Sequence, residues 1–242
     1  MTTRIDRDAL AARVAADITE GSIVNLGIGA PTRVADFLPE GAEIILHTEN
    51  GMLGMGAAPS ADSVDPDLIN AGKQAVTAVA GASYFHHADS FAMMRGGHLD
   101  ICVLGAYQVA ENGDLANWST GREGAIPAVG GAMDLAIGAK RVLVMTDLLT
   151  RSGESKLVAR CSYPLTGVSC VSRVYTDHAV FDVTPDGFAV TEVFGENTVD
   201  DLRALTGLDL LDATSGAAPA ADGAATTAAP MTAAPATDRS SR

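Results

Sequence analysis

Residues 44–56 read IILHTENGMLGMG, and they place an acidic side chain directly after an apolar run and before three glycines. The apolar run is typical of a buried strand, and glycine lets the chain turn sharply and lets other groups come close. We therefore expect Glu49 to stand at the end of a strand, surrounded by backbone amides. An ordinary hairpin fits the same letters, because Asn-Gly after a strand is a strong turn signal, and Glu49 would then be only the residue before the turn.

A second strand followed by glycines lies upstream. SIVNL at residues 22–26 reads as a short buried strand, and GIGAPT at residues 27–32 breaks it and begins a helix with proline in its first turn. Such a junction exposes free amides and a helix N-terminus, which suit an anion, although a lone G-x-G is equally typical of a tight turn. In open α/β sheets, ligands lie beyond the carboxyl ends of the strands. The two junctions would then place four residues on one rim: Asn25, Gly27, Gly29 and Glu49.

The same rhythm of strand, loop and helix continues along the chain. An apolar strand is predicted at residues 99–104, a Gly-Gly turn at residues 130–131 leads into a short helix, and another strand follows at residues 141–145. Short strands between residues 170 and 193 are separated by tight turns, which predicts a local antiparallel addition, and residues 199–205 fit a closing helix. We predict an α/β fold: an open, mostly parallel sheet with flanking helices.

Composition divides the chain into one domain and a tail. Of the 242 residues, 47% are hydrophobic, which is enough for a single α/β domain, predicted at residues 1–212. Residues 213–242 consist mainly of alanine, threonine, proline, glycine and serine, so they cannot bury enough apolar surface to offset their ordering entropy. The sequence predicts a disordered tail there.

The net charge is strongly negative, because 16 Lys and Arg stand against 30 Asp and Glu, giving −14 at pH 7. A negatively charged domain repels phosphate backbones and anionic lipid headgroups, so no nucleic acid and no membrane partner is expected. The N-terminal segment fits an amphipathic helix and not a signal peptide, and no apolar run is long enough to cross a membrane.

Neither the cysteines nor the histidines form a metal-binding pattern. Cys102, Cys161 and Cys170 are odd in number and lack C-x-x-C spacing, which argues against a zinc knuckle and a disulfide framework and favours reduced thiols. His86 and His87 are adjacent, so in a strand they would point to opposite faces, and no third ligand is evident nearby. We predict no metal site and a cytoplasmic location.

Six motifs in a fixed order carry a family resemblance. They are NLGIGAP (25–31), ENG with two further glycines (49–56), RGGHLD (95–100), GDLANW (113–118), GGAMDL (130–135) and YPLTG (163–167). In order and spacing, from about residue 5 to residue 207, the chain resembles the B (β) subunit of the class I 3-oxoacid CoA-transferases. Single glycine motifs are common, but six in register are highly specific.

The resemblance implies an open α/β CoA-transferase fold and a function. It implies a separate A (α) subunit, which is an obligate partner in an α2β2 heterotetramer, and succinyl-CoA as the CoA donor to a 3-oxo acid. It implies no cofactor, because coenzyme A esters are the substrates. Residues 69–74 and 86–91 are most similar to the branch of the family that uses 3-oxoadipate, and acetoacetate is the alternative acceptor.

Site residues follow from the same resemblance. The Glu of the family's Glu-Asn-Gly motif is the nucleophile, which corresponds to Glu49. The family's Asn in the first motif and a glycine of the Gly-Gly motif bind the reacting acyl oxygen, which corresponds to Asn25 and to Gly130 or Gly131. Their neighbours in the same motifs complete the predicted substrate-binding set: Gly27, Gly29, Asn50 and Gly51.

The chemistry is consistent with a glutamate nucleophile. Moving CoA between two carboxylic acids without hydrolysis needs an intermediate that keeps the acyl group activated, and a carboxylate nucleophile provides one. Two other functions fit the same scaffold: an acyl-CoA hydrolase, in which water intercepts the acyl-enzyme, and a non-catalytic metabolite-binding domain, which would not need Glu49.

A second carboxylate on 3-oxoadipate would need a cation. Arg95, Arg151 and Lys156 are candidates, and pairing with this chain's surplus of acids explains each of them equally well. The α subunit is an alternative source of that contact.

Overall fold

The computed structural model describes residues 3–121, 124 and 128–215, and these parts contain four α-helices and thirteen strands. The α-helices are α1 (Arg7–Ala16), α2 (His87–Arg95), α3 (Ala132–Gly138) and α4 (Val199–Thr206). The strands are β1 (Ile23–Leu26), β2 (Ile45–Thr48), β3 (Met52–Met55), β4 (Ala78–Tyr84), β5 (Ile101–Leu104), β6 (Gln108–Ala110), β7 (Leu115–Ala116), β8 (Arg141–Met145), β9 (Leu157–Val158), β10 (Val171–Tyr175), β11 (Ala179–Thr184), β12 (Gly187–Val193) and β13 (Leu211–Asp212). Short 3₁₀ helices span Ala30–Phe37 and Ala61–Ser63.

The strands form one large sheet and one small sheet. The order in the ten-stranded sheet is β13-β12-β11-β10-β8-β5-β1-β2-β3-β4, and the three-stranded sheet has the order β7-β6-β9. The centre of the large sheet, from β10 through β8, β5 and β1 to β2, is parallel throughout. The strands β11-β12 on one side and β3-β4 on the other add antiparallel pairs. The predicted open, mostly parallel α/β sheet with flanking helices is confirmed, and so is the antiparallel addition late in the chain.

The central strands are covered on both faces. In β5, Cys102 and Leu104 belong to one apolar cluster, whereas Ile101 and Val103 belong to the other. Residues of α2, α3 and α4 join the first cluster, and residues of α1 and the longer 3₁₀ helix join the second. A strand buried on both faces carries a continuous apolar run, which explains why residues 101–104 show no polar alternation.

The parallel centre brings the carboxyl ends of β1, β2, β5 and β8 to one edge of the sheet. On β1, Asn25 pairs with His47 of β2 on one side and with Cys102 of β5 on the other. The Gly27 N–H donates to the Val103 carbonyl oxygen at 2.8 Å, which continues β1 beyond its last paired residue. Loops that leave these strands therefore meet at one edge.

Several local structures differ from the sequence prediction. Residues 47–53 form a hairpin, with His47 opposite Leu53, so the Asn-Gly pair is a true turn, and Glu49 stands both before this turn and directly after the end of β2. The helix after the first glycine junction is a 3₁₀ helix, which begins with a Thr32 N–H to Gly29 carbonyl hydrogen bond of 3.2 Å. The small sheet was not predicted, because strands of two or three residues are too short to show a period.

The predicted tail at residues 213–242 lies outside the described residues from residue 216 onward. At its start, the Ala213 N–H donates to the Val190 carbonyl oxygen at 2.9 Å, so pairing with β12 continues one residue past the predicted boundary. Among the helices that the structure describes, none is long and apolar enough to cross a membrane.

Candidate active site

A cavity of about 580 Å³ lies at the carboxyl edge of the parallel strands. Loops that follow β1, β2, β5 and β8 line it, as does the turn before α3. Five of the predicted site residues line this cavity: Asn25, Gly27, Glu49, Gly130 and Gly131. The sheet topology thus brings together residues that are up to about a hundred positions apart in the sequence.

Three other predicted site residues are not part of the cavity lining, namely Gly29, Asn50 and Gly51. Gly29 precedes the 3₁₀ helix with φ of 97°, and the Asn50 side-chain amide donates to the Ile69 carbonyl oxygen at 2.8 Å. Gly51 has φ of 116°, and a Cβ there would collide with the Phe85 carbonyl oxygen. In this structure the three residues shape the loops that carry the site.

Glu49 occupies the first position after β2 and is half-buried. Within the described ranges its carboxylate makes no hydrogen bond and no ion pair with another side chain or with the backbone. Burial raises the pKa of Glu49, the nearby His87 lowers it in part, and the charge of Asp134 raises it further. An unpaired, partly desolvated carboxylate in a cavity is typical of a reactive group and unusual for a merely structural one.

Gly131 lies against the Glu49 carboxylate. A Cβ on Gly131 would collide with Oε2 of Glu49 and lie 3.2 Å from the Phe91 ring. The absence of a side chain at Gly131 is therefore what allows the acid to reach the turn before α3. Among the described residues, the backbone N–H groups of Gly130 and Gly131 have no acceptor.

A chain of buried hydrogen bonds connects β1, β2 and α2. Nδ2 of Asn25 lies 3.0 Å from Nδ1 of His47 and donates to the His47 carbonyl oxygen at 3.1 Å. On the other side of the ring, Nε2 lies 3.0 Å from the Ser90 hydroxyl, which donates to the Thr48 carbonyl oxygen at 3.2 Å. Burial lowers the pKa of His47 to about 4, so the ring is neutral near pH 7.

The Asn25 side chain offers a ligand an acceptor atom. Both of its N–H groups have acceptors on His47, whereas Oδ1 makes no hydrogen bond with the residues described. At the turn before α3, Gly131 lies against the Glu49 carboxylate, and its backbone N–H is a hydrogen-bond donor. The predicted ligand contacts therefore differ: Asn25 can accept a hydrogen bond from a ligand, whereas the backbone N–H groups of Gly130 and Gly131 can donate one.

Three further lining residues are His47 and Trp118, which are not among the predicted site residues, and Lys156, which the sequence offered as a candidate cation. His47 stands in the quoted motif, but its burial depends on α2, which is distant in sequence. Trp118 lines the cavity and its indole N–H donates to the Leu165 carbonyl oxygen at 3.2 Å. Lys156 also lines the cavity, whereas Arg95 and Arg151 do not.

The adjacent histidines, His86 and His87, each make a local structural contact. The His86 side chain caps α2 by accepting from the Ala88 N–H at 3.1 Å, and the His87 ring packs on Phe91 at 4.8 Å between centroids. Across the described stretches no group of three or more His, Cys, Asp or Glu side chains is arranged to hold a metal ion.

Comparison with known proteins identifies the family of this fold. A family profile described as Coenzyme A transferase matches residues 7–204. The B subunit of 3-oxoadipate CoA-transferase from Pseudomonas putida is 61% identical over 211 residues, which cover 87% of this chain and 99% of the relative. The B subunit of succinyl-CoA:3-ketoacid coenzyme A transferase from Helicobacter pylori is 47% identical over 200 residues, covering 83% of this chain and 96% of the relative.

A solved structure agrees at the level of the fold. The acyl-CoA transferase YdiF apoenzyme from Escherichia coli O157:H7 aligns with a TM-score of 0.64 at 18% identity. The match covers 88% of this chain and 43% of that one, so this chain spans less than half of the YdiF chain.

Proposed function

The chain belongs to the coenzyme A transferase family and is a class I β subunit, and from this premise we propose that it moves CoA from succinyl-CoA to a 3-oxo acid. We propose 3-oxoadipate as the acceptor, ahead of acetoacetate, and no cofactor, since the CoA esters are substrates. The acceptor rests on the P. putida relative, which is named for 3-oxoadipate and is 61% identical, against 47% for the H. pylori relative named for 3-ketoacids.

One observation carries the mechanism: the unpaired, half-buried carboxylate of Glu49 lies in the cavity against Gly131. A carboxylate oxygen of Glu49 attacks the thioester carbonyl of succinyl-CoA, the C–S bond breaks, and CoA leaves as the thiolate. The product is a mixed anhydride between Glu49 and succinate. The CoA thiolate then attacks the Glu49 Cδ atom, succinate leaves, and a glutamyl-CoA thioester remains. The acceptor acid runs the same steps in reverse.

Each step passes through a tetrahedral oxyanion that needs hydrogen-bond donors. The amides of Gly130 and Gly131 are suited to this, because Gly131 contacts the Glu49 carboxylate and neither N–H has an acceptor among the described residues. Losing one such donor typically reduces the rate by about 10²–10³. Asn25 and Gly27 complete the substrate contacts in this proposal; the free Oδ1 of Asn25 is an acceptor, so it contacts a donor group of the substrate and not the oxyanion.

The partner in this proposal is a separate α subunit, and the assembly is an α2β2 heterotetramer. Both relatives are named as B subunits, which implies a second kind of chain. Ile28, 63% exposed, and Tyr107, 43% exposed, both line the cavity. Covering these apolar side chains with another chain would also exclude water, which otherwise hydrolyses the activated intermediates.

The proposal is tested on the complex with the α subunit. The assembled protein is incubated with succinyl-CoA, quenched and treated with borohydride, and the peptide that contains Glu49 is examined by mass spectrometry. We expect a CoA adduct, or its reduction product, at Glu49 and loss of both adduct and transfer in Glu49→Gln. Glu43→Gln is the matched control, since Glu43 is exposed and does not line the cavity.

Two results would contradict the proposal. An adduct on a different residue would remove Glu49 from the mechanism. Release of free CoA from succinyl-CoA at an undiminished rate without any acceptor would show an acyl-CoA hydrolase. The acceptor is decided by competition between 3-oxoadipate and acetoacetate, and equal kcat/KM values would leave no basis for 3-oxoadipate.

A further inference from the structure

Lys156 is held firmly at the β8 side of the cavity. Its backbone N–H donates to the Leu148 carbonyl oxygen and its own carbonyl oxygen accepts from the Val109 N–H, both at 2.9 Å. The ammonium group donates to Oγ1 of Thr146 at 2.8 Å, and Thr146 directly follows β8. The side chain is half-buried and lines the same cavity as Glu49.

No carboxylate lies within ion-pair distance of Lys156 in the described parts of the chain. The two acids that act on its charge have other partners, Asp147 with Arg7 at 3.7 Å and Asp177 with His178 at 3.0 Å. Burial lowers the pKa of Lys156 by more than those two acids raise it. A partly buried cation has lost part of its hydration, and only one of the three ammonium N–H groups has an acceptor among the described residues, so this group is suited to an anionic ligand.

The position of Lys156 relative to Glu49 suits a short acyl chain. Glu49 follows β2 and Thr146 follows β8, and the sheet order β2-β1-β5-β8 separates these strands by three steps. At a strand spacing of about 4.8 Å this is about 14 Å between backbones. Both side chains line the same cavity of about 580 Å³, on opposite sides of β1 and β5, so a ligand that reaches from one charged group to the other lies within this cavity.

The other two cations considered from the sequence have different surroundings. Arg95 is exposed and its Nε donates to Asp134 at 2.6 Å, outside the cavity lining. Arg151 is exposed on the turn before Lys156 and does not line the cavity. Of the cavity-lining cations in the described ranges, Arg7 is paired with Asp147, which leaves Lys156 for a ligand.

We propose that Lys156 binds the distal carboxylate of dicarboxylic acyl groups and thereby selects succinyl-CoA and 3-oxoadipate over monocarboxylic substrates. This inference rests on the proposed transferase function. The flexible stem of lysine, unlike the rigid fork of arginine, adapts to distal carboxylates at different distances from the reacting carbonyl. The donor and the acceptor therefore share one cationic contact.

The test compares two changes, made separately and together: a substitution that removes the Lys156 cation, and a change of substrate that removes the distal carboxylate. Wild type and Lys156→Met, each assembled with the α subunit, react with succinyl-CoA or with butyryl-CoA, which carries a methyl group in place of the distal carboxylate. The measured quantity is the second-order rate constant kcat/KM for forming the Glu49 adduct, obtained from single turnovers. Lys140→Met is the matched control, because Lys140 is exposed and paired with Asp100 away from the cavity.

We expect Lys156→Met to lower kcat/KM for succinyl-CoA by about 10- to 100-fold, the usual range for losing a hydrogen bond to a charged group. With butyryl-CoA the same substitution should change the rate less than about threefold, since the partner anion is already gone. Lys156→Arg should recover part of the loss with succinyl-CoA. Equal losses with both esters, or no loss with succinyl-CoA, would overturn the inference.

Failure of this inference is distinct from failure of the proposed function. If Lys156→Met forms the Glu49 adduct equally poorly from both esters, the transferase mechanism stands and Lys156 has a structural or CoA-binding role. If wild type forms no adduct at Glu49 from either ester, the proposed function itself fails, and the selection proposed for Lys156 fails with it.

Discussion

Nδ2 of Asn25 lies 3.0 Å from Nδ1 of His47 and 3.1 Å from the carbonyl oxygen of the same residue. Because the amide donates to Nδ1, the proton of the neutral ring sits on Nε2 and is donated to Ser90. His47 therefore fixes the orientation of a cavity-lining amide while it is itself fixed by α2. The neutral, buried histidine thus orients the Asn25 side chain in the cavity that Glu49 also lines.

His47 should make stability depend on pH. The folded state lowers the pKa of His47 from 6.5 to about 4, so the neutral form is favoured on folding. This contribution is complete above pH 6.5 and is lost as the pH falls toward 4, by about 3 kcal/mol in total. Urea unfolding of the assembled protein at about pH 7 and about pH 4.5 should show a smaller decrease in His47→Gln than in wild type. His98→Gln, at an exposed histidine, should behave as wild type does. Identical pH dependence in His47→Gln and wild type would contradict this assignment.

The pKa of Glu49 should set the pH dependence of adduct formation, and two neighbouring residues shift that pKa. Only the ionised carboxylate attacks, and burial raises its pKa, so the rate should fall with decreasing pH at a midpoint above that of an ordinary glutamate. His87 lowers this pKa and Asp134 raises it. Asp134→Asn should therefore move the midpoint to lower pH, and His87→Gln should move it to higher pH. Rate profiles that shift in the same direction for both variants would refute the arrangement.

Gly131→Ala should disable the acid without unfolding the chain. The added methyl group would collide with the Glu49 carboxylate, and the acid would have to move away from the adjacent amides. A displacement of about 1 Å typically costs about 10²-fold in rate. The single-turnover rate is the readout, with circular dichroism as the check on folding. Gly105→Ala is the comparison in the same cavity, because a Cβ at Gly105 meets no atom within 4 Å. Equal rates for the two variants would argue against the contact.

Asp17 should stabilise the junction of α1 and the sheet. Its carboxylate accepts from Arg13 at 2.6 Å, from Arg173 at 2.8 Å and from the Tyr175 hydroxyl at 2.7 Å. Burial alone would raise the pKa of Asp17, but these partners lower it overall. This stabilisation is therefore present above the ordinary aspartate value of 3.8 and lost as the pH falls through the lowered value.

Asp17→Asn should lower the free energy of unfolding by about 2 kcal/mol at neutral pH, because hydrogen bonds to charged groups are lost. Urea unfolding of the assembled protein measures the change. Asp8→Asn removes an exposed pair with Arg33 and should cost less than about 0.5 kcal/mol. A loss for Asp17→Asn no larger than for Asp8→Asn would show that the partly buried network adds nothing.

Much of the fold was predictable because it depends on local patterns. Residues 141–145 form β8 as expected, the Gly-Gly turn begins α3, and the closing helix α4 starts with a Thr198–Asp201 capping box. Continuous apolar runs and turn signals lie within a few residues of each other, so the sequence displays them directly. The Asn-Gly pair predicted the hairpin after β2, but the sequence did not show that the same turn places Glu49 in a cavity.

The order of residues was enough to establish the parallel α/β architecture and to single out Glu49, since a strand that ends in Glu-Asn-Gly is written in consecutive letters. The neighbours of Glu49 emerged only from the folded chain. Gly131 contacts it, and His47 and Lys156 line the same cavity, Lys156 without an acid partner among the described residues. These relations depend on which strands pair and on how desolvation changes with burial. Both are set by contacts between distant segments, which no local pattern encodes.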